Sequence, residues 1–183
     1  MADFYLYLTA EINATSSNNL IQYLGGLIPQ APDRLTIAMN SPGGNVVSGI
    51  AIYNTMLAMP YPITTHNIGN VDSIANVVFL GGSERYACPG STFMFHGVGF
   101  QGNANMRYEE NILKGMLDTV LADHRRISGI FAVRTNGGVT VQSGMRLFKE
   151  QRTRHAQWAT DKGFATGVQD FVLPAGANVN FLV

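Results

Sequence analysis

Ser73 stands between an aspartate and a long apolar run, in Ile68-Gly69-Asn70-Val71-Asp72-Ser73-Ile74-Ala75-Asn76-Val77-Val78-Phe79-Leu80. Two roles fit a polar pair at the mouth of a segment otherwise suited to a core. One is a helix cap, with Asp72 or Ser73 accepting from the first-turn amides. The other is a nucleophile whose hydroxyl lies at the positive end of a helix, where an alkoxide or a bound anion is favoured. The pattern is not the G-x-S-x-G elbow of the α/β-hydrolases. A second stretch, Ser41-Pro42-Gly43-Gly44, lies between a strand pattern and a helix pattern. Its glycines allow a close backbone approach. Free N–H groups at a helix start can donate to an anion, a developing oxyanion included. A plain Pro-Gly turn reads the same four residues equally well. Third, His96 closes STFMFHG, and a histidine at a strand end beside a glycine can face a cleft as a general base. A structural histidine is the alternative. His66, His124 and His155 show no H-x-x-x-H spacing, so no metal site is expected. Cys88 reads as a small buried hydrophobe, and Trp158 as a packing residue.

Alternating elements must position these groups. FYLYL (4–8) is aromatic and β-prone, a strand. Thr15-Ser16-Ser17 precedes Leu20, Ile21, Leu24 and Leu27 at helical spacing, with Pro29 beyond. RLTIAMN (34–40) is a second strand, Val46 to Met59 a helix stopped by Pro60, and ITTHNIG (63–69) a third strand. Ser73 to Leu80 reads as a short buried helix ended by Gly81-Gly82. RYACP and STFMFHG (85–97) read as two short strands, and GFQGNANM (99–106) as loop. A long helix follows from Arg107 to about Arg134, weakened at Gly115 and Ser128-Gly129. Helices near 140–150 and 155–162 and a last strand at FVLP (171–174) complete the chain. This order calls for a parallel sheet flanked by helices.

The 183 residues suit one domain. Hydrophobic residues at 46% allow a sizeable core, while charged residues at 13% are sparse for a surface solvated all round. That sparsity points to surface covered by other subunits. Twelve basic and twelve acidic side chains give zero formal charge with no basic block, which argues against nucleic acid. A single cysteine excludes an internal disulfide and suits a reducing, cytoplasmic setting. The N-terminus lacks the basic and apolar regions of a signal peptide, and no apolar run is long enough for a membrane helix.

NSPGGNVVSGIAIYNTM (40–56), followed by ITTHNIGNVDSIANVVFLGGSERYACPGSTFMFHG (63–97), resembles the proteolytic subunit of the Clp protease. The likeness begins at FYLYLTAEIN, runs to His96 and fades in the last third. It implies an α/β, ClpP/crotonase-like fold of repeated β-β-α-type units, with a mainly parallel sheet and a projecting helical handle. The chain would be one domain over 1–183. Residues 1–98 would hold the core with nucleophile and base, 99–135 the handle, and 136–183 the C-terminal helices and last strand.

Carried over position by position, the resemblance makes Ser73 the nucleophile and His96 the general base. The amides of Gly44 and Ile74 would form the oxyanion hole. The third, acidic position falls near Glu150-Gln151-Arg152, where no aspartate stands and Glu150 is the nearest carboxylate; Asp161 and Asp170 lie farther along. The serine's neighbours Asp72, Ile74 and Ala75 replace very small residues. An ionised Asp72 would oppose a developing oxyanion unless it points away and caps the helix. The implied function is a serine peptidase acting on peptides or unfolded proteins inside a homo-oligomeric ring, with no cofactor. An ATPase partner is left open, because the chain begins at the first core strand. Two other readings stand beside it. One is a degenerate subunit with an assembly role. The other is a crotonase-type acyl-coenzyme A enzyme, which would use paired amides on a thioester enolate and recruit a carboxylate such as Asp72.

Overall fold

In the computed structural model, which describes residues 3–102, 105 and 107–182, strands and helices alternate through the first half. Strands β1 (Asp3–Leu8), β2 (Arg34–Ser41) and β3 (Ile63–Asp72) are joined by helices α1 (Ala14–Leu27) and α2 (Val46–Ala58). Helix α3 (Ala75–Phe79) follows, then β4 (Glu84–Ala87) and β5 (Thr92–Met94). The second half holds helix α4 (Glu110–Arg134), helix α5 (Val141–Glu150), strand β6 (Thr153–His155), helix α6 (Ala156–Asp161), and strands β7 (Gly167–Val168) and β8 (Asn178–Leu182).

The sheet runs β6-β5-β3-β2-β1-β8, with β4 also on β3 and β7 on β4. Every pairing is parallel except β5 with β6. This is the expected α/β arrangement, since parallel neighbours need crossover connections and helices supply them. The ten-residue β3 serves two partners: Thr64–Asn67 pair with β4 and Asn70–Asp72 with β5. Its last residues therefore lie beside the strand that leads to His96.

Leu6, Leu8, Leu35, Ile37 and Met39 on the sheet pack with Leu20, Leu24 and Leu27 of α1. Under the candidate site the core is aromatic. Phe95 meets Phe131 and Phe164 edge-on at 5.8 and 5.4 Å, and Phe131 meets Phe164 at 5.0 Å. Such pairs contribute about 0.5–1.5 kcal/mol each beyond their buried area, and here they fix the end of β5 to α4. Trp158 joins them as a packing residue, 5.5 Å from Phe95.

Several elements differ from the sequence reading. Thr15-Ser16-Ser17 lies inside α1 rather than before it, and Asn13 caps the helix in a reciprocal box with Ser16. β3 runs three residues farther than ITTHNIG, so α3 starts at Ala75 rather than Ser73. FVLP (171–174) is not a strand. Pro174 has no N–H to donate, and Phe171 turns in to meet Tyr7 at 5.8 Å and His66 at 5.2 Å. The edge place beside β1 goes to β8. β6 had no sequence signal of its own. α4 runs unbroken through Gly115 and Ser128-Gly129, and its buried residues are Ile127, Ser128 and Phe131, all in its last two turns. Cys88 is only partly buried, with Sγ 3.6 Å from His66 Nε2. Of the loop expected over 99–106, residues 103, 104 and 106 lie outside the described residues.

Candidate active site

The chain leaves β3 at Asp72 and enters α3 at Ala75 through a turn in which Ser73 has φ +56°. A non-glycine residue there costs on the order of 1–2 kcal/mol and persists only where its surroundings over-determine it. Here they do. Ser73 N–H donates to Met94 O at 2.9 Å. Asn76, fully buried, donates through Nδ2 to Ser73 O at 3.0 Å and Met94 O at 2.8 Å. The helix-cap reading fails on geometry, because the start of α3 has no side-chain cap bond. A strand–turn–helix with a strained serine at its apex is the geometry that exposes a nucleophile, although the G-x-S-x-G pattern is missing.

The glycine pair packs on this turn. Gly43 has φ +86°, and a Cβ there would lie 2.6 Å from Asp72 O and 2.7 Å from Ser73 Cβ. Gly44 has φ +141° and presses on Ile12 O, so a side chain is excluded at both positions. Ile12 locks the loop by donating to Gly43 O and accepting from Asn45 N–H, both at 2.7 Å. Asn45 then caps α2 through Ser48 N–H. The Gly44 and Ile74 amides make no hydrogen bond among the described residues.

Gly44, Ser73, Ile74 and His96 line one cleft of about 120 Å³, together with Phe95, Val98, Ile127 and Phe148. Loop, turn, strand end and two helices thus bring four of the five carried-over residues together. His96 is exposed, and its Nδ1 lies 2.8 Å from Gly97 O. A carbonyl only accepts, so Nδ1 carries a proton, and in the neutral ring Nε2 is the nitrogen that keeps a lone pair. That is the tautomer a general base at Ser73 needs.

Glu150 is not brought to His96. It ends α5, Gln151 follows at φ +50°, and its carboxylate pairs at 2.6 Å with Arg154, four residues on in β6. It lines a separate cavity of about 150 Å³ with Arg146, Arg154, Trp158 and Lys162.

Asp72 accepts from Met94 N–H at 3.2 Å, across the β3–β5 pairing. Burial pushes its carboxyl above the usual carboxylate range, and the Met94 N–H, the Asn70 side chain and His96 pull it part of the way back. A carboxyl raised on folding favours the native state below its unfolded value, and that contribution is lost as pH rises through the folded one. Asp72→Asn keeps an acceptor for Met94 N–H. It is expected to raise Tm near pH ~7.5 and to change little near pH ~3. Thermal scans across pH check this, and an equal shift at both ends would rule out the charge as cause.

Asn76, which orders the serine turn, and His124, which accepts from Val98 N–H at 2.8 Å, were not singled out as site residues in the sequence. Asn76 lies three residues past the serine in an apolar run, and a buried amide there was the available signal. His124 carried none beyond being one of four histidines. Among the described residues no group of His, Cys, Asp and Glu could hold a metal ion, and no helix is long and apolar enough to cross a membrane.

The sequence matches the Clp protease family over residues 1–170. The fold is similar to that of the ClpP protease catalytic domain from Plasmodium falciparum, with 25% identity, a TM-score of 0.75, and 94% of this chain and 88% of that one covered. It is also similar to a ClpP1 mutant from Listeria monocytogenes, with 19% identity, a TM-score of 0.75 and 91% of each chain covered. The second likeness speaks for the fold alone.

Proposed function

The chain belongs to the Clp protease family, and on that premise we propose that it cleaves peptide bonds with Ser73 as nucleophile and His96 as general base. Family and fold are those of an oligomeric serine protease. The observation that carries the finer reading is the strained Ser73 turn, set in one cleft with His96 and two unengaged amides.

His96 Nε2 takes the Ser73 proton as Oγ attacks the peptide carbonyl. The carbonyl oxygen becomes an oxyanion held by the Gly44 and Ile74 amides, each such donor being worth roughly 3–4 kcal/mol. His96 then returns its proton to the leaving amine, and water releases the acyl group by the same route. The Gly97 carbonyl holds the imidazole through Nδ1, where the family pattern has a carboxylate.

Substrates are peptides or unfolded chains, as membership of the Clp protease family implies. The protein works as a homo-oligomeric ring. Leu113 and Leu117, 53% and 56% exposed and one turn apart on α4, suit a surface that other subunits cover.

Incubation of the assembled protein with a fluorogenic peptide and with an unfolded protein, alongside sedimentation velocity, tests this reading. The expected result is peptide cleavage by a species several times the mass of one chain. A defined oligomer with no cleavage of either would favour the degenerate subunit.

A further inference from the structure

We propose that His124 is a positioning residue for this reaction: through the single Gly97–Val98 peptide group it fixes and polarises the acceptor that holds His96. The proposal rests on the Ser73–His96 reading above.

One peptide unit joins the two imidazoles. Its carbonyl, from Gly97, accepts from His96 Nδ1 at 2.8 Å. Its N–H, from Val98, donates to His124 Nε2 at 2.8 Å. A peptide whose N–H is engaged is a stronger acceptor at its oxygen, because linked hydrogen bonds polarise one another. The bond also stops the peptide plane from rotating, and with it the carbonyl that sets the His96 ring. An orienting acceptor thus stands at His96 without a carboxylate, and the family position where one would stand, near Glu150, need not supply it.

The His124 ring is itself held. It stacks on Phe148 at 4.8 Å and 27°, and Phe148 also lines the cleft. Gly97 lets it approach: a Cβ there would come within 3.2 Å of His124 Nε2 and 3.4 Å of Cε1. A side chain on the residue after His96 would thus crowd a histidine 27 residues away in sequence, on α4. To accept from Val98, Nε2 must be unprotonated, which places the His124 proton on Nδ1 and leaves the ring neutral. Burial favours that form by pulling the imidazole below its usual value, with Asp123 acting the other way. Asp123 is paired with Arg126 at 2.9 Å. Phe148 and the Gly97–Val98 segment, which face the ring from outside α4, are uncharged.

The test compares wild type, His124→Leu and His124→Gln by two readouts: the rate at which a fluorophosphonate labels Ser73, and the His96 tautomer by NMR of 15N-histidine protein. Loss of the acceptor in His124→Leu is expected to slow labelling about 10- to 100-fold, the range for groups that orient a reactive ligand from behind. It is also expected to release His96 from its Nδ1–H form. His124→Gln, whose amide oxygen can accept from Val98, should restore most of the rate and the tautomer. If His124→Leu does not fold, Gly97→Ala crowds the ring without removing it and should slow labelling and loosen the His96 tautomer in the same direction, by less. Equal loss in His124→Leu and His124→Gln, or an unchanged His96 tautomer in the leucine variant, would overturn the proposal. An unlabelled wild type would instead sink the peptidase reading, and the tautomer measurement would still decide whether His124 fixes His96.

Discussion

Ser73→Ala is expected to lower kcat for peptide cleavage by about 10⁶, the scale seen when a serine nucleophile is removed, and to leave the fold intact. The hydroxyl takes no structural hydrogen bond among the described residues. Alanine keeps the Cβ that packs on Gly43, so stability should barely change. Ser73→Gly separates the two roles of the residue. Its backbone sits at φ +56°, which glycine adopts without the steric cost. The glycine variant should therefore be as inactive as the alanine one yet melt at a higher temperature. That pattern would show strain kept at the site for function. Appreciable turnover by purified Ser73→Ala would contradict the assignment.

The largest expected loss of stability comes from Arg85→Leu, about 3 kcal/mol or more. Arg85 is 8% exposed and donates to Phe164 O at 2.7 Å, Gly82 O and Gly163 O at 3.1 Å, and Arg134 O at 3.2 Å. Burial and nearby Arg134 lower its guanidinium to about 10, so it stays charged at neutral pH. Arg134 continues the network to Leu80 O and Gly82 O, both at 2.8 Å. The two side chains satisfy carbonyls just past α3 and tie it to α4 and to the segment before β7. Leucine would take that donor from the carbonyls of Phe164, Gly163 and Arg134, while Gly82 O keeps its bond from Arg134. Arg85→Lys keeps the charge but not the planar fork, and should fall between the two. Denaturant titrations at matched protein concentration measure this, since assembly adds to apparent stability. A loss under about 1 kcal/mol would show that the carbonyls find other partners.

The parallel sheet was legible because periodicity is local. FYLYL, RLTIAMN and ITTHNIG read as strands from their own residues, and Val46 to Met59 as a helix. What decides the site is not local. The Ser73 turn depends on Met94 O and on the fit of Gly43, groups 21 and 30 residues away. From sequence, Asp72-Ser73 looks like a cap. Only the extension of β3 along β5 shows that Asp72 belongs to the sheet and the serine to the turn. The carboxylate sought for His96 was placed by chain position alone, and in the structure Glu150 pairs instead with Arg154, four residues on. The peptide whose carbonyl does meet His96 Nδ1 has no side chain to read. Its partner His124 reaches it from a helix whose distance from His96 along the chain hides their closeness in space.

The measurement that bears most directly on the central claim is reaction of the assembled protein with a fluorophosphonate probe, followed by intact mass and peptide mapping. Wild type, Ser73→Ala and His96→Ala would be compared. The expected result is one adduct per chain, mapped to Ser73, absent in Ser73→Ala and strongly slowed in His96→Ala. An assembled wild type that takes up no probe, or one labelled equally well without His96, would contradict a serine activated by His96 in this cleft.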